Sequence, residues 1–474
     1  MSTFVLMELC KQSGVKNVIY QLLAPSITLN LDEVEENRSY AVIIDKGIRY
    51  CLTGNSGIYD EEASYVLLTD RTPTKQKLID NEIKQRKWIK HPNQIEASPD
   101  DVINSWENRF HFKLEKNEAH PGLRRPQLGA LHALLSHMLS PTETATVVLP
   151  TGTGKTETMM SALVAGRCNR VLVTVPTNAL RGQLFNKFKT LGILKKAKFE
   201  IVDKEALYPI VGVITSAFEG EDQLKSFIRQ CNVVITTMQI IDHAPEEQQD
   251  VYVSSFSNVF VDEAHHIVAT SWRKFSDRFP RHQLVQFTAT PFRNDGQRLD
   301  GKIIFNYPLR QAQKDGYYRT IHFLPVREYG EEAIADKAIA EKAVEKLKDD
   351  QKHYQHIMMA RCETKSRAKA VYKIYKELCP ELRIVLLYSG CPDYIENYNK
   401  VLKRDVDIVV CVNMLGEGFD LPELKIAAFH DIRKSLPITL QFSGRFTRTS
   451  RDAELGDASF VANIADLTVK QELD

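Results

Sequence analysis

The sequence predicts an α/β protein with two successive parallel sheets flanked by helices, preceded by a small α+β module. Three observations carry this reading. Two series of short Val- and Ile-rich runs alternate with helical stretches, the pattern of parallel strands buried between helices. A Gly-containing turn joins an apolar run to a helix near the start of the first series. Apolar residues make up 43% of 474, enough for large cores in a chain of about two to four domains.

Residues 1–118 are expected to form the accessory module. Apolar runs at 40–44 and 48–52 flank Asp45-Lys46-Gly47, a hairpin signal. Residues 65–68 read as a further strand. The charge-rich stretch 75–90 reads as an exposed helix or linker. Ser98 is placed to cap a helix with Pro99 in its first position. Residues 119–316 form the first β/α domain, with strands at 146–149, 171–175, 211–215, 233–236, 259–261 and 284–287. Residues 317–474 form the second, with strands at 322–326, 356–360, 384–387, 408–411, 426–429 and 458–462. Between the first two of these, Ala335, Ile339, Ala340, Ala343 and Leu347 line one face of a helix.

Composition narrows the function. Lys and Arg total 62 against 61 Asp and Glu, leaving a net charge of +1. That argues against a strongly basic nucleic-acid coat and leaves room for a local basic groove. Lys187, Lys189, Lys195, Lys196 and Lys198 form one basic run, read as an exposed helix face and turn. No secretory signal or long apolar run is evident, so no membrane contact is expected. The eight cysteines include no C-x-x-C pair, which suits reduced thiols in a cytoplasmic protein.

The chemistry begins at Val147-Val148-Leu149-Pro150-Thr151-Gly152-Thr153-Gly154-Lys155-Thr156. Backbone N–H groups of such a loop, with the helix N-terminus behind it, face a triphosphate. Lys155 suits the β- and γ-phosphates, and the Thr156 hydroxyl suits Mg²⁺. Glu157 follows directly. The usual G-x-x-x-x-G-K-[ST] has Gly where this chain has Leu149. Downstream, Asp262 and Glu263 follow an apolar run, which puts them at the strand's C-terminal end, where α/β ligands bind. Asp262 suits Mg²⁺, and Glu263 suits orientation or deprotonation of an attacking water.

Together with this loop, Asp262-Glu263-Ala264-His265 resembles the superfamily 2 helicases of the DEAH type. Arg125-Pro126-Gln127 is similar to their adenine-reading Q motif, Pro176-Thr177-Asn178-Ala179-Leu180-Arg181 to motif Ia, and Thr236-Thr237 to the strand end that holds a nucleic-acid phosphate. Thr288-Ala289-Thr290-Pro291-Phe292-Arg293 resembles motif III. Asn413 to Asp420 resembles motif V, and Gln441-Phe442-Ser443-Gly444-Arg445-Phe446-Thr447-Arg448 resembles motif VI. The wording is similar to that of restriction-enzyme motor subunits and bacterial defence helicases, among them the helicase of Hachiman-type anti-phage systems.

The resemblance implies two RecA-like domains facing across a cleft that binds ATP and Mg²⁺. Arg125, Gln127, Thr151, Gly152, Thr153, Gly154, Lys155, Thr156, Glu157, Gly418, Asp420 and Gln441 are expected at the nucleotide, with Arg445 and Arg448 as arginine fingers. Thr177, Arg181, Thr236, Thr237, Arg361 and Asn413 are expected along a nucleic-acid strand. The implied activity is ATP-driven translocation or unwinding of DNA. The alternatives are an RNA helicase and a regulatory ATPase that licenses a partner nuclease. Thr468 with Gln471 has the form of a helix start, so the chain is expected to be the motor part of a longer protein.

Overall fold

Both series of apolar runs form parallel sheets in the computed structural model, which describes residues 2–94, 96–264, 277–289, 299–317, 321–412, 421–430 and 456–465. The first sheet has nine strands, in the order Lys302–Asn306, Ala145–Val148, Leu284–Thr288, Asn258–Asp262, Val171–Val175, Val233–Thr237, Ile210–Val213, Val18–Ala24 and Leu9–Ser13. All but the last two run parallel. Strands such as Val171–Val175 are buried along their whole length, which is why they read as continuous apolar runs rather than alternating ones. Helices Arg125–Leu139, Lys155–Ala165 and Asn178–Phe188 cover one face. Helices Glu221–Arg229 and Glu246–Ser255 cover the other.

Part of the N-terminal segment belongs to this sheet. Val18–Ala24 pairs antiparallel with Ile210–Val213, and Leu9–Ser13 pairs antiparallel with Val18–Ala24. The hairpin covers what is otherwise a bare strand edge. Its turn is tied down by Asn17, whose Oδ1 accepts the N–H groups of Thr215 and Ser216 at 2.8 and 3.1 Å.

The rest of the segment holds a ribbon, Thr3–Leu6 with Ile27–Asn30, and a five-stranded sheet, Glu33–Glu36, Tyr40–Asp45, Ile48–Thr53, Tyr65–Thr69 and Gln85–Lys90. The hairpin about Asp45-Lys46-Gly47 is present. The stretch 75–90 departs from expectation. Its helix is short, Lys75–Ile79, and Gln85–Lys90 is a strand at the edge of the sheet. Exposed Arg86, Lys87 and Lys90 suit an edge, while Trp88 alone is buried and anchors the strand beside Tyr65. The charges hid the strand from sequence. Helix Pro99–Ser105 starts as expected: Ser98 Oγ accepts the Asp101 N–H, and Asp101 accepts the Ser98 N–H.

The second sheet has six parallel strands, in the order Ile321–Val326, Ala458–Asn463, Leu424–Phe429, Ile357–Cys362, Ile408–Val412 and Ile384–Leu387. Helices Glu332–Asp350 and Lys365–Leu378 pack on one face through Ile339, Ala343, Leu347 and Val371. The architecture is therefore two tandem RecA-like α/β units. Among the described residues, no helix is long and apolar enough to cross a membrane.

Candidate active site

The parallel strands of the first sheet end at one edge, and the phosphate-loop residues gather there. Leu149, at the position of the missing glycine, is fully buried and donates its N–H to Thr288 O at 2.9 Å. That position is part of the sheet core. Gly152 and Gly154 have φ of +90° and +102°, which side chains adopt only with strain. A Cβ on Gly154 would lie 1.8 Å from Gln127 Nε2. The Thr153 hydroxyl turns inward and donates to Pro150 O at 2.7 Å. Lys155 then opens helix Lys155–Ala165, with Gly154 as its cap.

Lys155 meets the second motif here. Its Nζ lies 2.5 Å from Glu263 Oε1, and both side chains are buried. Asp262 ends strand Asn258–Asp262, and its Oδ1 accepts the Glu263 N–H at 3.0 Å. Glu263 takes φ +50°, a left-handed conformation unusual outside glycine. That bend follows directly on the strand end, at the residue whose carboxylate meets Lys155.

The other expected ATP residues divide. Gln127 is buried in the first turn of helix Arg125–Leu139. Its Oε1 accepts the Arg124 N–H at 2.7 Å, and its amide nitrogen packs on Gly154. Arg125 is exposed and lies 3.8 Å from Asp315. Arg124, which sequence reasoning passed over, donates from Nη1 to Gly152 O at 3.0 Å. The Arg-Arg-Pro run gave no sign of which arginine the helix start would aim at the loop. Thr151 and Thr156 are half-buried. Glu157 is buried and accepts a hydrogen bond from Lys187 Nζ at 2.8 Å. Burial pushes its carboxyl upward, but the Lys187 charge and hydrogen bond outweigh this and hold it below the ordinary value. It links the loop helix to the next helix rather than facing the loop.

The expected strand contacts lie further along the same edge. Thr177 is exposed and caps helix Asn178–Phe188, its hydroxyl accepting the Leu180 N–H at 3.3 Å. Arg181 Nη1 and the Thr236 hydroxyl both donate to Ile214 O, at 3.3 and 3.2 Å. Thr236 is fully buried and ties two strand ends together. Thr237 is 4% exposed and stands at the N-cap of the short helix Met238–Asp242, its side chain making no capping bond. In the second sheet, Arg361 is buried near the end of Ile357–Cys362. Thr290 to Arg293, Asn413, Gly418, Asp420, Gln441, Arg445 and Arg448 lie outside the described residues.

Comparison with known proteins adds to this geometry. Residues 120–293 match the family model "Type III restriction enzyme, res subunit". The chain is similar to the ATP-dependent RNA helicase DRS1 of Eremothecium gossypii, 24% identical over 362 residues, covering 70% of this chain and 46% of that protein. DRS1 of Scheffersomyces stipitis is 22% identical, covering 73% and 49%. The chain thus spans about half the length of these curated relatives. Among solved structures, a fragment of a putative HsdR subunit of a type I restriction enzyme from Vibrio vulnificus YJ016 shares the fold. Its TM-score is 0.56 at 16% identity, covering 100% of this chain and 89% of that one.

Fold and site together are similar to those of superfamily 2 helicases. Within that class, residues 120–293 are the stretch similar to the res subunit of type III restriction enzymes.

Proposed function

We propose that this protein is a DNA motor: it hydrolyses ATP between a first domain (119–316) and a second (317–474), and uses the cycle to move on or remodel DNA in bacterial restriction or anti-phage defence. Residues 1–118 act as an accessory module. The single observation that carries the reading is the buried Lys155–Glu263 couple at the edge where the phosphate loop opens. A cation that neutralises phosphate and an acid that handles water are the two groups β–γ cleavage needs from this domain. ATP entering the loop would draw Lys155 to its phosphates and release Glu263 to a water. The buried Asp262 carboxylate and the Thr156 hydroxyl are hard oxygen donors that fit Mg²⁺, which supplies charge neutralisation when bound. Arg445 and Arg448 supply the complementary charge from the second domain. Domain closure therefore gates turnover.

DNA is favoured by the similarity of residues 120–293 to the res subunit of type III restriction enzymes. The similarity to DRS1, named as an RNA helicase, favours a second reading in which the track is RNA. In a third reading, the ATPase licenses a partner nuclease. We place the protein in the cytoplasm. The test is the steady-state ATPase rate with no nucleic acid, single-stranded, duplex and forked DNA, and RNA, with Glu263→Gln as control. Strong stimulation by one DNA form, lost in the control, is expected. Stimulation by RNA alone would replace the reading with the second. Equal rates throughout would replace it with the third.

A further inference from the structure

Two helices on the same face of the second sheet treat their lysines in opposite ways. In Glu332–Asp350, lysines are matched to acids: Lys337 with Glu341, Lys342 with Glu345, Lys346 with Asp350 and Lys348 with Glu381. In Lys365–Leu378, Lys365, Lys369, Lys373 and Lys376 are all exposed, and none has an ion-pair partner among the described residues. At 3.6 residues per turn the four fall within about 80° of arc and span about 16 Å along the axis. The helix has one acid, Glu377, which falls outside that arc. Glu381, the next along the chain, is held by Lys348.

Aromatic rings set the lysine heads. Lys365 and Lys369 lie 5.7 and 5.6 Å from the Tyr388 ring centre, and Lys376 lies 5.6 Å from that of Tyr372. The buried face of the helix, Ala368, Val371 and Tyr375, needs none of these lysines. Like charges at this spacing weaken a helix slightly, so ion pairing within the fold gives no reason for the stripe, and among the described residues Lys373 has no ring contact either. It starts just past the strand end that carries Arg361.

In the basic run conspicuous in sequence, three of the five lysines are engaged. Lys187 is bonded to Glu157, Lys189 lies 3.9 Å from Glu8, and Lys195 donates to the carbonyls of Lys204 and Ala206.

We propose that the outer face of helix Lys365–Leu378 binds nucleic-acid backbone beyond the segment that crosses the sheet edges. This rests on the reading that the protein acts on nucleic acid. Four ammonium groups along about 16 Å suit successive phosphates, and lysines meeting phosphates read no sequence.

The test compares the full chain with a quadruple variant, K365Q/K369Q/K373Q/K376Q, and with the single variant Lys373→Gln. Affinity for duplex DNA is followed by fluorescence anisotropy across a salt series. The slope of log affinity against log salt should fall by about three to four in the quadruple variant and about one in the single variant. The ATPase rate without nucleic acid and the melting temperature should match wild type. A quadruple Lys→Arg variant should restore the slope. Wild-type slope and affinity in the Gln variants would overturn the proposal and leave the motor reading intact. Failure of the wild type to bind any nucleic acid at low salt would overturn both.

Discussion

Each parallel sheet buries charge near its strand ends, but the two arrangements differ. In the first, Lys155 and Glu263 form one couple, brought together from a helix start and a strand end. In the second, the charges close on one another. Asp336 accepts from His430 Nδ1 and from Arg367, each at 2.9 Å, and the Tyr375 hydroxyl lies 3.0 Å from His430 Nε2. One tautomer satisfies this set: Nδ1–H donates to Asp336, and Nε2 accepts from the tyrosine. Arg367 also donates to the His430 carbonyl. An ion pair beside a phosphate loop can exchange one partner for a ligand, whereas a network that ties two helices to a strand end holds shape.

The largest expected effect follows from the couple. Glu263→Gln keeps a hydrogen bond to Lys155 and removes the base, so turnover should fall about 10²–10⁴-fold while ATP still binds. Lys155→Ala should abolish turnover. Phosphate release and nucleotide filter binding measure both. Turnover surviving in Glu263→Gln would remove the functional half of the comparison.

His430→Ala tests the other half. It leaves the buried Asp336 and Tyr375 each short of a partner, so stability should drop by about 1.5–3 kcal/mol in urea unfolding, with turnover per folded molecule unchanged. A variant of full stability and reduced turnover would show that the network takes part in the chemistry. A smaller effect sharpens the first side. Gly154→Ala forces a side chain into φ +102° and against Gln127, costing about 1–2 kcal/mol and weakening ATP binding. Adding Gln127→Ala should relieve the clash but not the backbone strain.

How much of this was legible depended on burial. Strands covered on both faces, such as Val171–Val175 and Ile384–Leu387, read directly as apolar runs. Leu9–Ser13 is mostly polar and exposed, so nothing local marked it as a strand; only its pairing with Val18–Ala24, itself laid on Ile210–Val213, gives it a place. The roles of Lys155 and Glu263 could be read from their motifs, but their contact spans 108 residues of chain and needed the fold. Thr236 shows the limit from the other side. A threonine at a strand end looks the same in sequence whether its hydroxyl meets a phosphate or, as here, Ile214 O.

Lys195 extends the comparison to a third case, a half-buried cation without a bonded carboxylate. Its Nζ donates to Lys204 O at 2.9 Å and to Ala206 O, and lies 4.0 Å from the Tyr208 ring centre. Burial pushes its ammonium down to about 8, against the opposing pull of Glu205. The unfolded chain keeps that proton up to its ordinary value of 10.5. Between these values the unfolded state binds more protons, so stability rises with pH; below about 8 both states are protonated and the dependence vanishes. Lys195→Met removes the group. From pH 7 to 9.5 the wild type should therefore gain stability relative to Lys195→Met, by of order 1 kcal/mol, read from urea midpoints. Parallel pH curves would mean that Lys195 stays charged throughout, and that its carbonyl partners do for it what Glu263 does for Lys155.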